Sequence, residues 1–376
     1  MKKKFLLLAS HPESIINFRG PLLKDIKDKG FDVYVLAPDL IQNEKITNQL
    51  KKMDIYYYEI SMNRTGTNPF LDIRTIFQCW YLMLKIKPDY FLGYTPKPVI
   101  YGNLAAGLAR IPNRYALITG LGFTFQTNKQ WLNFLMRNLY KIALNKANKI
   151  FFQNPDDQNL FFKLGIVKKK HNKTVIVNGS GVDIDKFKET SFPKKITFLL
   201  IARLLIDKGI REYFEAAKIV KKKYPHINFA LVGWIDENPN SITKSELNNL
   251  LNDNCVEFFG RLEDVRPAIT NSSIYVLPSY SEGTPRTVLE AMAMGRPIIT
   301  TDAPGCRETV INNKNGFLIQ IKSSDDLANA MIKFIKNPEL ISIMGKNSRI
   351  IVEEKYDVNM VNKHLLNEMN ILKLAS

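Results

Sequence analysis

The sequence predicts an α/β fold in which two Rossmann-like domains, each with an open parallel sheet, face each other across a cleft. Three observations support this prediction. Short apolar runs alternate with helical patterns along all 376 residues. The apolar runs are continuous, which is typical of strands buried on both faces of a parallel sheet. The alternation pauses after Val177 and restarts at Ile196, as expected where one domain ends and another begins.

The predicted strands follow one another with helices between them. In the first half, strands are predicted at Phe5–Ala9, Asp32–Ala37, Ile55–Ile60, Tyr90–Gly93, Arg114–Thr119, Lys149–Gln153 and Thr174–Val177. In the second half, they are predicted at Ile196–Ala202, Asn228–Gly233, Val256–Gly260, Ser273–Pro278, Pro297–Thr301 and Gly316–Ile319. Two of the helices are predicted at Ile210–Lys223 and Asn329–Ile335.

The pause in this pattern sets the predicted domain limits. We assign residues 1–185 to an N-terminal domain and residues 186–355 to a C-terminal domain. Residues 356–376 are expected to form a helix that packs back toward the N-terminal domain. Ligands of open parallel sheets bind outside the carboxyl ends of the strands, so functional side chains are expected in the loops that follow strands.

The composition excludes several classes of protein. Hydrophobic residues make up 45% and charged residues 24%, which are values of globular proteins. Three widely spaced cysteines argue against a disulfide framework and against a cysteine-rich zinc site. No apolar run reaches the roughly 20 residues of a membrane span. The apolar start, Phe5–Ala9, is interpreted as a buried strand rather than a signal peptide, so a cytoplasmic protein is expected.

The formal charge of +17 is unevenly distributed. Residues 1–185 carry 27 Lys and Arg against 14 Asp and Glu, whereas residues 186–376 carry 26 against 22. This asymmetry predicts an anionic partner for the first half: nucleic acid, a phospholipid surface or a phosphorylated substrate. A general abundance of lysine is the alternative explanation. Nucleic acid is not the expected partner, because the sequence has no helix-turn-helix, zinc-finger or RNP-like pattern.

The strongest motif, SEGTPRTVLEAMAMG, follows the predicted strand Ser273–Pro278. Thr284 is a suitable N-cap, and Pro285 fits the first helical position. Gly295 fits the position just after the end of a helix. The motif therefore predicts a helix over residues 285–294.

The start of this helix predicts an anion-binding site. Its free backbone amides and positive dipole end attract a phosphate, and Gly283 lets the phosphate approach the backbone. The carboxylates of Glu282 and Glu290 can accept hydrogen bonds from sugar hydroxyls. Together these groups indicate a pocket for a nucleotide sugar. The alternative is an ordinary capped surface helix with two solvated glutamates.

Two cations follow the predicted strand Ile196–Ala202. Arg203 leaves the strand at its carboxyl end, and Lys208 precedes the next helix. A guanidinium fork and a point charge suit a diphosphate, although either cation alone is typical of a protein surface. Their expected position beside the Glu282 loop favours a nucleotide site.

These two segments resemble the retaining glycosyltransferases of family 4, which have the GT-B fold. The family pattern is a carboxylate, seven residues and a second carboxylate, here Glu282 and Glu290, preceded by an arginine and a lysine, here Arg203 and Lys208. The resemblance implies that Arg203 and Lys208 bind the donor diphosphate and stabilise the departing nucleotide. It also implies that Glu282 contacts the donor hexose at the reacting centre.

The same resemblance supplies the remaining donor-binding candidates. It implies that Glu290 binds the ribose and that the amides of Gly283 and Thr284 cap the phosphate. Pro285 and Arg286, which complete the motif, are included in this donor-binding set.

Segments of the first half resemble a bacterial subgroup that builds O-antigen, capsule or protein-linked glycans on undecaprenyl diphosphate. The resemblance implies transfer of a hexose or N-acetylhexosamine (Gal, GalNAc or GlcNAc) from a UDP-sugar to a lipid-diphosphate-linked saccharide. The segments are NFR at 17–19, TPKPVIYG at 95–102, ITGLG at 118–122, QNPDD at 153–157 and, in the second half, GWIDENP at 233–239.

The acceptor is expected to bind to cleft-facing loops of the N-terminal domain. Arg19 and Lys97 are candidates for the acceptor diphosphate, and His11, Gly120 and Gly122 are further candidates for acceptor contacts. The first loop lacks the glycine pair that many family members have. Lys97 also stands where many have a histidine, so no catalytic histidine is assigned. Neither a metal site nor a cofactor is expected.

Membrane contact is predicted for the segment 129–141. Its apolar face is accompanied by Arg137 and Lys141, which is typical of a helix that lies in a membrane interface. The alternative is a core helix that faces its own sheet. The expected partner is an anionic membrane surface, with the protein peripherally bound to the cytoplasmic face of the inner membrane.

The resulting hypothesis is a retaining, metal-independent hexosyltransferase. Two alternatives remain: a nucleotide-sugar epimerase with the same fold, and a transferase that uses a GDP-sugar or a non-lipid acceptor. An oxidoreductase is not favoured, because no Gly-x-Gly-x-x-Gly follows the first strand.

Overall fold

The computed structural model of the protein describes residues 2–63, 69–120, 130–169 and 173–372. The chain forms two compact units. The first consists of Met1–Ser180 together with Val361–Ser376, and the second of Gly181–Met360. Each unit is an α/β structure with its own sheet and its own hydrophobic cores.

The first unit alternates strands with helices. Its strands are β1 (Lys4–Leu8), β2 (Asp32–Ala37), β3 (Tyr56–Glu59), β4 (Tyr90–Tyr94), β5 (Asn113–Ile118), β6 (Lys149–Phe152) and β7 (Thr174–Ile176). Its helices are α1 (Pro12–Ser14), a π-helical turn (Ile15–Arg19), α2 (Gly20–Asp28), α3 (Glu44–Lys52), α4 (Pro69–Ile86), α5 (Pro96–Leu108), α6 (Gln130–Asn145) and α7 (Pro155–Lys163).

In the described part of the chain, the first sheet has seven parallel strands in the order β3-β2-β1-β4-β5-β6-β7. Alternate side chains of each strand point to opposite faces, and both faces are covered. Phe5 and Leu7 of β1 pack into the core on one face, with α2 and α3. Leu6 and Leu8 pack into the core on the other face, with α4 and α5. The strands are therefore buried on both sides, which explains their continuous apolar sequences.

The end of the chain packs onto the first unit. Leu365 of helix α14 (Val358–Glu368) and Met369, which follows the helix, belong to the same core as β1 and β2. Polar contacts hold it as well: the Tyr115 hydroxyl donates to the Met369 carbonyl at 2.9 Å, and Asn362 donates to Asp25 at 2.8 Å.

The second unit repeats the α/β alternation. Its strands are β8 (Thr197–Ile201), β9 (Asn228–Val232), β10 (Glu257–Phe258), β11 (Ile274–Leu277), β12 (Ile298–Thr301) and β13 (Gly316–Ile319). Its helices are α8 (Ile210–Lys223), α9 (Lys244–Leu251), α10 (Arg266–Thr270), α11 (Arg286–Ala293), α12 (Ser324–Lys336) and α13 (Glu339–Lys355), with 3-10 turns at Ile206–Lys208 and Arg307–Thr309.

The second sheet is also parallel, and its described strands run in the order β10-β9-β8-β11-β12-β13. Phe198 and Leu200 pack with α8 and α12 on one face, and Leu199 and Ile201 pack with α11 on the other. Strand β11 lies directly beside β8 although two strands, β9 and β10, separate them in sequence. This adjacency brings the loops that follow these two strands to the same edge.

The strands predicted from the sequence are confirmed, with ends that differ by a residue or two. Helix α8 begins and ends where it was predicted, and α12 is longer than predicted at its N-terminus. Among the described residues, no helix combines the length and the apolar composition that a membrane span needs.

Arg296 anchors the segment that leads into the second sheet. Its side chain is completely buried, and its guanidinium donates to the carbonyls of Thr190 at 2.8 Å and Ser191 at 3.0 Å. It also donates to the carbonyls of Ile269 at 3.1 Å and Met294 at 2.8 Å. Burial lowers the pKa of Arg296 to about 10, so the group stays charged at neutral pH. Backbone carbonyls therefore solvate this cation, and the charge of Glu189 also stabilises it.

We predict that Arg296→Met destabilises the second unit by about 3 kcal/mol, because several buried carbonyls lose a charged donor. Calorimetric thermal unfolding measures the change. Arg307→Met is the matched control, since Arg307 is partly exposed and binds Asp302; its effect should stay below about 1 kcal/mol. Equal losses in the two variants would contradict the anchoring role of Arg296.

Candidate functional site

The loop after β8 packs closely against the end of β11. Gly209 has a φ of +70°, and a Cβ at this position would lie 2.2 Å from the Pro278 carbonyl oxygen. Only glycine fits such an approach without a shift of the backbone. The amide of Tyr280 also donates to the Asp207 carbonyl at 2.9 Å. The two predicted site loops are thus held together by their backbones.

Side chains from these loops form an ion pair. Lys208 donates to Glu282 at 2.5 Å, and both side chains are about 15% exposed. The hydroxyl of Ser279 donates to the same carboxylate oxygen at 2.8 Å. Lys208 and Glu282, which the sequence suggested as neighbours, are therefore in direct contact. Ser279 was not predicted, because a serine at a strand end carries no distinctive sequence signal.

The loop that follows β12 also contacts Glu282. The Glu282 amide donates to the Pro304 carbonyl at 2.9 Å, and the Thr301 hydroxyl donates to the Ser279 carbonyl. Gly305 has a φ of +79°, and a Cβ there would lie 2.2 Å from the Glu282 carbonyl oxygen. The Pro-Gly pair after a predicted strand could have revealed this turn.

Helix α11 begins one residue later than predicted. Pro285 is its N-cap, with φ −73° and ψ 106°, and Arg286 is its first residue. The assignment of Thr284 as the N-cap is therefore wrong: Pro285 already occupies the extended conformation that an N-cap adopts. The position of Gly295 just beyond the helix, with a φ of +77°, is confirmed. Gly283 and Thr284 lead into the first turn of the helix, in which the Val288 amide donates to the Pro285 carbonyl at 3.1 Å.

Arg286 and Glu290 form an ion pair along α11. Arg286 donates to the Glu290 carboxylate at 2.8 Å, one helical turn further on. Burial raises the pKa of Glu290, and the charge of Arg286 opposes this rise. A buried carboxylate held by one cation is a strong acceptor for a further donor, such as a hydroxyl. The alternative of two solvated glutamates is thus wrong for Glu290, which is 6% exposed.

Arg203 is oriented by a carboxylate that the sequence did not single out. Its guanidinium donates to Asp236 at 3.1 Å, and Asp236 is almost completely buried. Asp236 lies in the GWIDENP segment, which follows β9, the neighbour of β8. The pairing fixes one edge of the guanidinium fork.

In the first unit, the predicted acceptor loops follow adjacent strands. Ser10, after β1, is hydrogen-bonded to Thr95, after β4, at 2.8 Å. The Tyr94 hydroxyl is hydrogen-bonded to Ser14 at 2.7 Å, and the guanidinium carbon of Arg19 lies 5.4 Å from the centre of the Tyr94 ring. Arg19 is only 2% exposed, at the end of the π-helical turn. Single turns of π-helix are frequent at functional sites.

Thr95 has a strained backbone. Its φ of 70° and ψ of 161° fall in a region that is almost restricted to glycine, and threonine is branched at Cβ. Pro96 follows directly and begins α5. Strain of this kind persists only where the surroundings fix it, and it is concentrated at ligand-binding positions. No pattern in the sequence indicated this residue.

Lys97 is paired within the first unit. It donates to Asp72 of α4 at 2.9 Å, and its ammonium nitrogen lies 5.9 Å from the centre of the Tyr101 ring. Burial and the nearby Asp72 carboxylate raise the pKa of Tyr101. His11 is partly exposed, and its Nε2 lies 3.9 Å from Oε2 of Glu13.

Gly120 and Gly122 are the two glycines predicted near the acceptor. Gly120 follows β5 and has a φ of 115°, a conformation that favours glycine. Gly122 lies outside the described residues.

One solved structure with a similar fold is a glycosyltransferase from Rickettsia africae, with a TM-score of 0.77, 20% identity and coverage of 99% of each chain. Another is the Anabaena protein HepE in complex with UDP-glucose, with a TM-score of 0.77, 19% identity, and coverage of 98% of this chain and 99% of that chain. Two α/β units with parallel sheets and this likeness define the GT-B fold class, as the sequence predicted.

Sequence comparisons identify the family. Residues 182–350 match glycosyl transferases group 1, and residues 4–154 match the glycosyl transferase 4-like family. A Campylobacter jejuni N,N'-diacetylbacillosaminyl-diphospho-undecaprenol alpha-1,3-N-acetylgalactosaminyltransferase is 30% identical, over 94% of each chain. An Escherichia coli UDP-Gal:alpha-D-GlcNAc-diphosphoundecaprenol alpha-1,3-galactosyltransferase is 27% identical, over 74% of each. The chain therefore belongs to the group 1, family 4-like glycosyltransferases.

We predict that Gly305→Ala destabilises the protein by about 2 kcal/mol more than Gly30→Ala. Both changes place a side chain at positive φ, with a similar strain of about 1 kcal/mol. A Cβ at Gly30 meets nothing within 4 Å, whereas a Cβ at Gly305 overlaps the backbone of Glu282 and Gly283. Thermal unfolding of the two variants makes the comparison. An equal loss would show that the loop next to Gly305 moves aside easily.

Proposed function

We propose that the protein transfers a hexose or N-acetylhexosamine from a UDP-sugar to an undecaprenyl-diphosphate-linked saccharide, with retention of configuration at the anomeric carbon. The similarity to the Campylobacter jejuni enzyme over almost the whole chain carries this proposal. The Escherichia coli relative, whose name also specifies a diphosphoundecaprenol acceptor and a UDP-sugar, supports it. The UDP-glucose in the HepE complex is consistent with the same donor nucleotide.

The second unit is proposed to bind the donor. The ion pair places a cation, Lys208, directly beside a carboxylate, Glu282. A sugar diphosphate needs both groups: a cation for its phosphates and an acceptor for its sugar hydroxyls. Lys208 and Arg203 would bind the diphosphate, and Glu282 would accept a hydroxyl of the donor hexose. The amides at the start of α11, next to Gly283 and Thr284, would cap the phosphate.

Glu290 and Arg286 would complete the donor site. The buried Glu290 carboxylate would accept hydrogen bonds from the two ribose hydroxyls, and the charge of Arg286 opposes the rise that burial causes in the pKa of Glu290. Pro285 would hold the approach to α11 in an extended conformation, at the positive end of the helix dipole.

The reaction follows from the charge that develops in the donor. The bond between the anomeric carbon and the phosphate oxygen breaks, and Lys208 and Arg203 stabilise the negative charge that the UDP gains. The acceptor hydroxyl attacks the anomeric carbon from the face that UDP leaves, and the departing phosphate oxygen accepts the hydroxyl proton. This sequence retains the configuration and needs no protein base.

The first unit is proposed to bind the acceptor. Its candidate residues Arg19, Lys97, His11 and Gly120 follow or flank the strands β1, β4 and β5, whose carboxyl ends share one edge of the sheet. Gly122, two positions after Gly120 in the sequence, is proposed as a further contact. We propose that the protein binds the cytoplasmic face of the inner membrane peripherally, because the acceptors named for its relatives are lipid-linked.

A panel of UDP- and GDP-sugars, with and without a lipid-diphosphate-linked saccharide, tests the proposed reaction. We expect release of UDP that depends on the acceptor, persists in excess EDTA, and is accompanied by an elongated lipid-linked product with retained anomeric configuration. Mass spectrometry and NMR of the product provide the measurement. Release of nucleotide without acceptor, together with an isomerised sugar, would instead identify an epimerase, and GDP release would exclude the UDP-sugar donor.

We predict that Lys208→Met lowers kcat/KM at least about 100-fold and weakens UDP binding about tenfold, because the diphosphate loses its point charge. Steady-state kinetics and calorimetric titration with UDP measure the two effects. Lys222→Met is the control, since Lys222 is exposed on α8 and should leave both unchanged. An inactive Lys208→Met protein that binds UDP with full affinity would contradict the role of Lys208 at the leaving group.

A further inference from the structure

Helix α4 is apolar on both of its faces. Its buried face consists of Thr75, Cys79, Met83 and Ile86, which are at most 4% exposed. Three of these side chains belong to the core on the α4 side of the first sheet. A surface helix normally carries polar residues opposite its buried face. In this unit, the sheet covers only one side of α4.

The opposite face carries a row of large apolar side chains. Ile73 is 51% exposed, Phe77 58%, Tyr81 65% and Leu84 43%. At about 100° per residue, these four positions fall within an arc of about 80° and extend for about 17 Å along the helix. Contiguous exposed apolar patches are uncommon on soluble monomers and mark surfaces that meet a partner or a membrane. We refer to these four residues as the α4 stripe.

The exposed charged residues of α4 beside the α4 stripe are both basic. Arg74 and Lys85 are exposed and lie along one border of the stripe. The helix has a single acidic residue, Asp72, and it is paired with Lys97. A protein partner with an apolar patch would not require this arrangement, whereas an anionic bilayer complements both the apolar row and the cationic border.

Helix α6 is also apolar and basic on its outer side. Helix α6 lies on the same face of the sheet as α4, with Met136 and Tyr140 buried in the adjoining core. Its outer side exposes Phe134, Leu135 and Ile142 together with Arg137 and Lys141. Neither α5 nor α6 contains an acidic residue. The two interpretations of segment 129–141 are thus compatible: the described part of α6 faces its own sheet and also presents an apolar, basic outer side.

We propose that the α4 stripe docks the protein on an anionic phospholipid surface. Ile73, Phe77, Tyr81 and Leu84 enter the boundary between headgroups and acyl chains, while Arg74 and Lys85 bind lipid phosphates. This inference rests on the proposed function, since a lipid-linked acceptor gives the enzyme a reason to lie at a bilayer. The α4 stripe also lies next to a predicted acceptor residue. Asp72, which precedes Ile73 in the chain, binds Lys97, a candidate for the acceptor diphosphate.

Vesicle co-sedimentation of the full-length protein tests the proposal. The vesicles contain phosphatidylethanolamine with phosphatidylglycerol, and phosphatidylcholine vesicles serve as the neutral comparison. We expect Phe77→Ser with Tyr81→Ser to lower the partition coefficient at least about tenfold, because two aromatic side chains no longer enter the interface. The matched control is Ile343→Ser with Met360→Ser, which removes two exposed apolar side chains from the second unit and should leave binding unchanged.

Charge variants measure how much Arg74 and Lys85 contribute to vesicle binding. Arg74→Gln with Lys85→Gln should weaken binding to phosphatidylglycerol vesicles about tenfold at low salt and have little effect in high salt. Lys222→Gln with Lys346→Gln removes the same charge from exposed positions of the second unit and should have a much smaller effect. Thermal unfolding confirms that each variant is folded.

Three outcomes would overturn the proposal. One is wild-type protein that does not bind phosphatidylglycerol vesicles at low salt. Another is a Phe77→Ser, Tyr81→Ser variant that binds as well as wild type. The third is a wild-type dimer, seen by sedimentation velocity, that this variant alone abolishes while vesicle binding persists; the stripe would then contact a second copy of the chain.

A separate measurement distinguishes failure of docking from failure of the proposed function. Transfer to a short-chain, water-soluble prenyl-diphosphate saccharide without vesicles should be the same for wild type and for the Phe77→Ser, Tyr81→Ser variant. Normal transfer with stripe-independent vesicle binding would overturn the docking surface and leave the transferase intact. Stripe-dependent vesicle binding without transfer to any lipid-diphosphate acceptor would instead overturn the proposed function.

Discussion

The ion pair between Lys208 and Glu282 connects two loops that lie 74 positions apart in the chain. It forms because β8 and β11 are neighbours in a parallel sheet, so the residues that follow them meet at one edge. The backbone and side chains around this ion pair are closely packed and have little room to move. Gly209 and Gly305 bring three backbones into direct contact, and Ser279 orients the carboxylate. An arrangement fixed before the ligand arrives suits the stabilisation of a charge that appears only during the reaction.

Much of this architecture was predictable from the sequence, because buried parallel strands leave continuous apolar runs that are easy to recognise. The order of the strands in the sheet was not, since pairing depends on contacts between distant segments. The motif that begins at Ser281 was recognised because glycine, proline and carboxylates occur in an informative order. The residues that orient Arg203 and Glu282 were not predicted, for the opposite reason. Asp236 and Ser279 are ordinary loop residues whose importance arises from the fold.

The first unit shows where sequence patterns are least informative. The strained conformation of Thr95 depends on the neighbours that hold it, and a β-branched residue before proline predicts extended backbone with negative φ. The apolar outer side of α4 was also hidden in the sequence, because residues on both sides of the helix are apolar and periodicity cannot assign one of them to the core. Only the position of the sheet shows which side is covered.

The return of the chain to the first unit has a consequence for biosynthesis. Leu365, Met369 and Ile371 fill the core beside β1 and β2, yet they are made after the whole second unit. The ribosome therefore synthesises the whole second unit while the first sheet still lacks part of its cover on one face. Until Leu365, Met369 and Ile371 are in place, that face of the nascent first unit exposes apolar surface, which makes it prone to association with other chains.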